Sequence, residues 1–205
     1  MSLKKESRTD VQFHLAALRG DCDKLRQLLD TGKVHIDSRD RDKATPLFIA
    51  AQNGHEEVCR ALLTAGARPD GARADRATPL WIAAQCGHQH VARLLLAAGA
   101  SVDHVRQDGA TPLFKAAHKG HAAVVVELLK YKPNLGLLPN GQSALHGAAM
   151  FGQLSCARLL ARRGGAAGLR MRSAAGLTPA QAAQAAGRSD VLAYLRRLEH
   201  ELAST

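Results

Sequence analysis

Aromatic side chains are scarce in this 205-residue chain: four Phe, two Tyr and one Trp make up 3% of it. The hydrophobic share is nevertheless 46%, which excludes a disordered chain, and the 18 glycines have no collagen-like period. Alanine and leucine supply much of that apolar material. Because alanine is the best helix former and lets backbones approach, this composition favours closely packed helices.

Cysteines are few, and no two of them lie close together in the sequence. Cys22, Cys59, Cys86 and Cys156 offer neither the framework of a disulfide-rich secreted domain nor the paired spacing of a zinc site. We therefore expect four buried or half-buried reduced thiols. A reducing compartment, the cytoplasm and/or the nucleus, is the expected location.

Long apolar runs are lacking as well. The run at 91–100 is interrupted by Arg93 and Gly99, so it falls short of the roughly 20 apolar residues of a membrane-spanning helix. The first ten residues are polar, with no apolar run behind their charges, which predicts that there is no signal peptide. We expect short tails at 1–8 and 203–205 and no membrane partner.

What the sequence does contain is a repeat. Six segments share one pattern, and their starts are 34, 33, 33, 32 and 35 residues apart. Four of the segments open with Thr-Pro, and each has a glycine nine residues after its start. The starts are Val11, Thr45, Thr78, Thr111, Ser143 and Thr178, and the glycines are Gly20, Gly54, Gly87, Gly120, Gly152 and Gly187.

Each element of the pattern has a structural role. Thr or Ser caps the first amides of a helix, and Pro at the first helical position presets the backbone angle. The glycine ends that helix in a left-handed turn. A second helix then buries residues at helical spacing, such as Val91, Leu94 and Leu95. The pattern predicts an all-α chain of six helix–turn–helix units.

This pattern resembles the ankyrin repeat, a unit of about 33 residues with the signature Thr-Pro-Leu-His-x-Ala. Thr-Pro-Leu-Phe-Ile-Ala at 45–50 and Ser-Ala-Leu-His-Gly-Ala at 143–148 are two of the matches, and the resemblance covers about 9–202. It implies an ankyrin-repeat solenoid whose units are joined by extended, hairpin-like loops. The expected repeats are 9–38, 39–72, 73–105, 106–137, 138–172 and 173–202.

Several residues depart from the pattern. The glycine two positions before the cap is present at 109, 141 and 176 but is replaced by Lys43 and Arg76, which predicts altered turns there. Gly147 stands inside a helix, where glycine costs about 1 kcal/mol relative to alanine. A glycine-rich insertion at 164–168 predicts a flexible connection into the sixth repeat.

The first and last repeats are predicted to be caps. Each has only one neighbour to bury against, so each needs a polar outer face. In the first repeat Asp10, Gln12 and Arg19 are the polar residues around an otherwise matching helix.

Motifs that carry chemistry are lacking. The sequence has no glycine-rich phosphate loop, no Gly-x-Ser-x-Gly and no His-Glu-x-x-His, so we predict no enzyme activity and no cofactor. A metal site at His118 and His121 is disfavoured because no carboxylate or thiol accompanies them. Five histidines recur at template positions and are expected to hydrogen-bond neighbouring loops: His14, His55, His88, His121 and His146.

The resemblance also implies a concave face, formed by the loop tips and the exposed side of the first helices. In repeats two and three these positions form a mixed polar surface, whereas in repeats four and five they include the apolar residues Leu137, Pro139, Met150 and Phe151. An exposed apolar patch anchored by Met150 and Phe151 is therefore expected, unless Phe151 packs back against the fifth repeat. The predicted contact residues are Gln107, His118, Lys119, Leu137, Pro139, Met150, Phe151, Arg170 and Arg172.

The excess of basic residues also bears on the predicted contact surface. Basic residues outnumber acidic ones by 28 to 18, a net charge of +10, and no acidic residue lies between Glu127 and Asp190. This stretch is either a solvated face or a surface on which Arg170 and Arg172 meet an acidic partner. Nucleic-acid binding is disfavoured because stacking aromatics are not interleaved with the basic residues.

Taken together, these features predict a monomeric, non-catalytic adaptor that binds a protein partner, with an acidic segment, on its concave face. Two alternatives stay open. A basic protein that binds nucleic acid or another acidic partner would lose affinity steeply as salt rises. A structural subunit of a larger complex would behave poorly alone and purify with its complex at fixed stoichiometry.

Overall fold

The computed structural model describes residues 8–139 and 141–204. Within them the chain forms twelve helices and no strand, which confirms the predicted all-α class. It divides into two compact units, residues 1–101 and 102–205, each with three pairs of helices. Most of the predicted tail at 1–8 and the last residue of the tail at 203–205 lie outside the described residues. The first helix begins at Arg8 and the last ends at Ala203.

In the first unit the helices pair along the chain. The first helices of the pairs pack on one another in order, and so do the second helices. The elements are α1 (Arg8–Arg19), α2 (Cys22–Asp30), α3 (Pro46–Asn53), α4 (Glu56–Thr64), α5 (Pro79–Cys86) and α6 (Gln89–Ala97).

The second unit repeats this arrangement. Its first helices, α7, α9 and α11, pack in series, and so do its second helices, α8, α10 and α12. The elements are α7 (Pro112–Lys119), α8 (Ala122–Leu129), α9 (Ala144–Met150), α10 (Leu154–Arg170), α11 (Pro179–Ala185) and α12 (Ser189–Ala203).

The predicted helix signals act as expected. Thr45, Thr78 and Thr111 each cap a helix through a side-chain oxygen that accepts a hydrogen bond from the amide three residues on, at 3.2 Å. The glycines at 20, 54, 87 and 120 all have positive φ angles, between 74° and 83°. Paired alanines on the first helices are fully buried, and this lets neighbouring helices approach closely: Ala50, Ala51, Ala83, Ala84, Ala116 and Ala117.

The prediction of altered turns at Lys43 and Arg76 is wrong. Both residues take the left-handed conformation, with φ of 63° and 67°, where Gly109 has 76°. The hydrogen bonds of the turn are also kept, since the Lys43 amide donates to Asp40 O and the Arg76 amide to Arg73 O, each at 3.0 Å. Aspartate side chains hold these turns: Asp40 Oδ1 accepts from the Ala44 amide at 2.8 Å, and Asp75 Oδ1 from the Ala77 amide at 3.2 Å.

The connection into the sixth repeat is helical rather than the expected extended loop. Helix α10 runs to Arg170 and is interrupted only at Gly165, which has φ 56° and ψ −155°. Beyond that residue the chain is helical again, and Leu169 in this segment is only 2% exposed. No helix in the described part of the chain combines the length and apolar character needed to cross a membrane.

Candidate functional site

Three hairpin turns of the second unit carry several of the predicted contact residues. They are closed by hydrogen bonds from the Arg106 amide to Ala110 O at 3.1 Å, from the Leu138 amide to Gln142 O at 2.9 Å and from the Ser173 amide to Leu177 O at 2.9 Å. The Ala174 amide also donates to Gly141 O at 2.8 Å, so the last two turns are joined directly. Predicted contact residues on these turns therefore have fixed backbone positions.

Phe151 is the most exposed of the predicted anchors, with 49% of its surface accessible. Its ring meets the His118 imidazole edge to face, with 3.9 Å between ring centroids and 71° between planes. His118 in turn lies 6.1 Å from the Phe114 ring. The Phe151 ring thus contacts the first helix of the preceding pair, and about half of its surface stays exposed.

The absence of a side chain at Gly147 makes room for the Phe114 ring. A Cβ atom at this position would lie 3.1 Å from Cε2 of Phe114, so the glycine leaves room for that ring. Phe114 is buried with Ala110 and Leu138. Leu137, which precedes Leu138, is 45% exposed, because successive residues of an extended segment point to opposite sides. Pro139 on the other side of Leu138 is exposed too.

Met150 is only half buried, and its neighbours hold it in place. Its sulfur accepts a hydrogen bond from Gln142 Nε2 at 3.5 Å, and its carbonyl accepts one from Arg188 Nε at 3.1 Å. The structure therefore presents part of the Met150 side chain next to the exposed Phe151.

Gln107, Lys119 and Arg170 are exposed, while Arg172 donates a hydrogen bond from Nη1 to Gly176 O at 2.8 Å within its own turn. The pKa of His118 is lowered, first by desolvation and then by the charges of Lys115 and Lys119. Near neutral pH this favours the uncharged imidazole on which the Phe151 ring rests.

Three of the five template histidines, His55, His88 and His146, hydrogen-bond to a neighbouring repeat, as predicted. His55 Nε2 bonds to Leu18 O at 3.0 Å, and His88 Nε2 bonds to Gln52 O at 3.1 Å. His146 Nε2 reaches Leu177 O at 2.9 Å while its Nδ1 bonds to Ser143 Oγ at 2.8 Å. His14 differs, since its Nδ1 bonds to Asp10 O in its own helix.

The thiols have two different environments. Cys59 and Cys156 are buried, and burial raises their pKa values to about 12 and about 11, so both stay protonated and unreactive at neutral pH. Cys22 is half buried, but Cys86 is exposed, so the expectation for Cys86 is wrong. Among residues 8–139 and 141–204 no group of three or more His, Cys, Asp or Glu could hold a metal ion.

One surface was missed by the sequence analysis. Val11, Leu15 and Leu18 on α1 are exposed, which corrects the predicted polar face of the first repeat. Together with α3 they line an open groove of about 370 Å³. The spacing of the three residues at positions i, i+4 and i+7 of a helix could have indicated this surface.

The repeat architecture agrees with a known family. The family model described as ankyrin repeats (3 copies) matches residues 13–106 and 98–169, which together span most of the chain. The chain belongs to the ankyrin repeat family. Its helix pairs, hairpin turns and glycine-terminated first helices are therefore the expected ankyrin features, and its fold is an all-α repeat solenoid.

Similar proteins share only part of this chain. Ankyrin repeat domain-containing protein 29 of Homo sapiens is 44% identical over 67 residues, or 33% of this chain and 22% of that protein. Its counterpart in Danio rerio is 49% identical over 67 residues, with the same coverage. Ankyrin repeat domain-containing protein 49 of Bos taurus is 46% identical over 43 residues, 21% of this chain and 18% of that protein. The match thus spans about a fifth of each relative.

Proposed function

We propose that this ankyrin protein is a non-catalytic adaptor or scaffold that binds a partner protein on the concave face. The contact lies in the second unit, on the hairpin turns and first helices of repeats four to six. Family membership supports the general role, because ankyrin repeats are protein–protein interaction modules. The half-exposed Phe151 ring, seated on His118, is the observation that carries the placement.

The residues around this ring suggest how a partner is held. Phe151 and the exposed part of Met150 supply apolar contact, and Leu137 and Pro139 extend it along the neighbouring turn. Gln107 and Lys119 add polar contacts beside it. Arg170 and Arg172 provide positive charge for an acidic segment of the partner, since guanidinium groups pair well with carboxylates. Nothing in this arrangement requires a cofactor.

The proposal is tested by affinity capture with three forms of the full chain. The wild type is compared with Met150→Ala/Phe151→Ala and with the control Val126→Ala/Tyr131→Ala, which removes two exposed apolar side chains from α8 and its end. We expect a protein partner whose recovery falls about tenfold or more with the first variant and is unchanged with the control. Thermal unfolding of all three forms checks that each is folded.

Equal recovery of every captured protein by all three forms would contradict the placement. The same capture, done on fractionated cells, also tests the proposed cytoplasmic and/or nuclear location. Analytical ultracentrifugation tests the proposed monomeric state.

A second candidate is binding of nucleic acid. It is favoured by the net charge of +10 and by the basic stretch between Glu127 and Asp190. A gel-shift titration with a duplex oligonucleotide at two salt concentrations separates the candidates. We expect weak binding, without preference for sequence, that is lost at physiological salt; tight binding that survives there would favour the second candidate.

A further inference from the structure

Helix α10 carries three exposed arginines before its interruption at Gly165. Arg158 and Arg162 are four residues apart and so share one side of the helix, and Arg163 lies next to them. Within the part of the chain that the structure describes, none of the three forms a salt bridge. These residues form an arginine row on a second helix, outside the hairpin turns and first helices of the proposed contact.

The corresponding helix of the second repeat balances its charge. Arg60 of α4 and Arg158 of α10 lie the same number of residues after the N-cap of their helices. Arg60 Nη2 lies 2.7 Å from Glu56 Oε1, and Arg60 Nε lies 3.7 Å from Glu57 Oε1. In α10 a leucine and a serine stand in place of these two glutamates, so the arginine has no carboxylate on its own helix.

Two further arginines stand where α4 has none. Arg162 and Arg163 occupy the positions of Thr64 and Ala65. Like charges one turn apart on a helix are unfavourable, so Arg158 and Arg162 repel each other. The negative end of the helix dipole favours arginines just before the interruption, but this effect fades within one turn and does not reach Arg158. The row therefore carries charge that its own helix does not compensate.

The acidic residues of the helices packed against α10 do not neutralise the row either. Glu127 of α8 is buried, and its Oε2 lies 2.7 Å from Lys130 Nζ. On α12 the Glu201 carboxylate is paired with an arginine of its own helix at 2.8 Å. Asp190 and Glu199 of α12 form no salt bridge with any described residue. The row is thus open to an anionic group from outside the chain.

One of the three guanidinium groups is held in place. Arg158 Cζ lies 5.5 Å from the centre of the Tyr194 ring of α12, over its face. A guanidinium stacked in this way keeps a fixed plane, while the N–H groups at its edge can donate to a carboxylate. A partner thus meets donors that are already oriented, which reduces the entropy lost on binding.

We infer that the arginine row is a docking site for an acidic segment of a partner protein. Each guanidinium pairs with a carboxylate through two parallel hydrogen bonds. Arg158 and Arg162 are about 6 Å apart along the helix axis, and alternate side chains of an extended segment are about 6.6 Å apart, so acidic residues on one side of such a segment reach both. The inference goes beyond the proposed function, because it places another segment on another surface.

The size of the row favours this occupant over two other anions. Anionic membrane surfaces attract clusters of roughly four to eight Lys or Arg residues, and the row has three. A nucleic acid held by so few phosphate contacts is released as salt rises, and the half-buried Tyr194 ring, with Arg158 over its face, offers little to a stacking base. A protein segment can also contact Leu159, which is half buried beside Arg158.

The test uses a labelled peptide of about ten glutamates, titrated with the full chain at about 50 mM salt and followed by fluorescence anisotropy. We expect the affinity to fall about tenfold with Arg158→Gln/Arg162→Gln/Arg163→Gln, because three ion pairs are lost. Thermal unfolding checks that this variant is folded. Arg162→Gln/Arg163→Gln leaves Arg158 on the Tyr194 ring and should still lower the affinity severalfold.

A matched control separates the row from the overall charge of the chain. Lys24→Gln/Arg26→Gln/Arg60→Gln removes the same charge from exposed residues of α2 and α4, and it should change the affinity by less than about twofold. Equal losses with the control and with the α10 variant, or no binding by the wild type, would overturn the inference.

Two further outcomes would also overturn it. A loss with Arg170→Gln/Arg172→Gln but not with the α10 variant would leave the row without a role and would support the proposed function instead. A single-stranded oligonucleotide of about ten nucleotides that bound more tightly than the peptide, through the same arginines, would assign the row to nucleic acid.

Discussion

At the scale of single residues, two turns keep glycine-like geometry without glycine. Lys43 and Arg76 adopt φ angles above 60° because hydrogen bonds on both sides fix the turn. The sequence showed that glycine was replaced, but not that the aspartate of each turn would hold the backbone in place. The sequence pattern therefore predicted where the turns lie, but not that they keep their geometry when lysine or arginine replaces glycine.

Replacing Lys43 by glycine should stabilise the chain. In the left-handed conformation a residue with a Cβ atom destabilises the folded chain by about 1–2 kcal/mol, and glycine avoids this cost. The greater freedom of glycine in the unfolded chain offsets about 0.5–1 kcal/mol of that gain. We expect a net gain of roughly 0.5–1 kcal/mol in the free energy of unfolding, measured by urea denaturation. Arg41→Gly in the same turn is the control and should lower stability; a loss with Lys43→Gly would refute the account of the turn.

His146 should make stability depend on pH. Burial is the main cause that lowers its pKa from 6.5, so the unfolded chain takes up a proton more readily than the folded chain does. The stabilising contribution is complete above the unfolded pKa of about 6.5 and is lost as the pH falls below it.

His146→Gln isolates this effect, because Gln181 forms the equivalent capping box with Thr178 and glutamine does not titrate. Denaturation near neutral pH and at about pH 5.5 should show a larger loss for the wild type than for the variant. Equal losses would mean that His146 does not titrate differently in the folded and unfolded chain.

At the scale of helices, the packing of α7 against α9 depends on one missing side chain. Gly147 weakens α9 by about 1 kcal/mol relative to alanine, but a Cβ atom there would lie 3.1 Å from the buried Phe114 ring. The sequence showed that Gly147 lowers the helix propensity of α9. The sequence could not show that the Phe114 ring lies against Gly147, because Phe114 belongs to the preceding repeat and only the fold brings the two residues together.

We expect Gly147→Ala to bring no gain in stability in the wild type, since the contact with Phe114 offsets the better helix propensity. In a Phe114→Leu background the same substitution should stabilise the chain by about 1 kcal/mol. A double-mutant cycle in urea measures the coupling. A full gain in the wild-type background would show that the Phe114 ring moves aside at no cost.

At the scale of the whole molecule, the repeat made the fold predictable. Thr-Pro caps and helix-ending glycines recur at nearly constant spacing, so each helix pair could be placed before its contacts were known. The exposed surfaces were harder to predict. Phe151 could be nominated because the template gives it no core position, whereas Val11, Leu15 and Leu18 on α1 have the spacing of core residues and their exposure shows only in the fold.

The central claim is that this ankyrin protein works by docking another protein on its hairpin turns and first helices. Hydrogen–deuterium exchange of the full chain, with and without a partner recovered in the capture experiment, tests this claim most directly. We predict that the partner slows exchange in the turns and first helices, including 106–119 and 138–151, and leaves α8 unchanged. Protection confined to the second helices, with none at 106–119 or 138–151, would contradict the account.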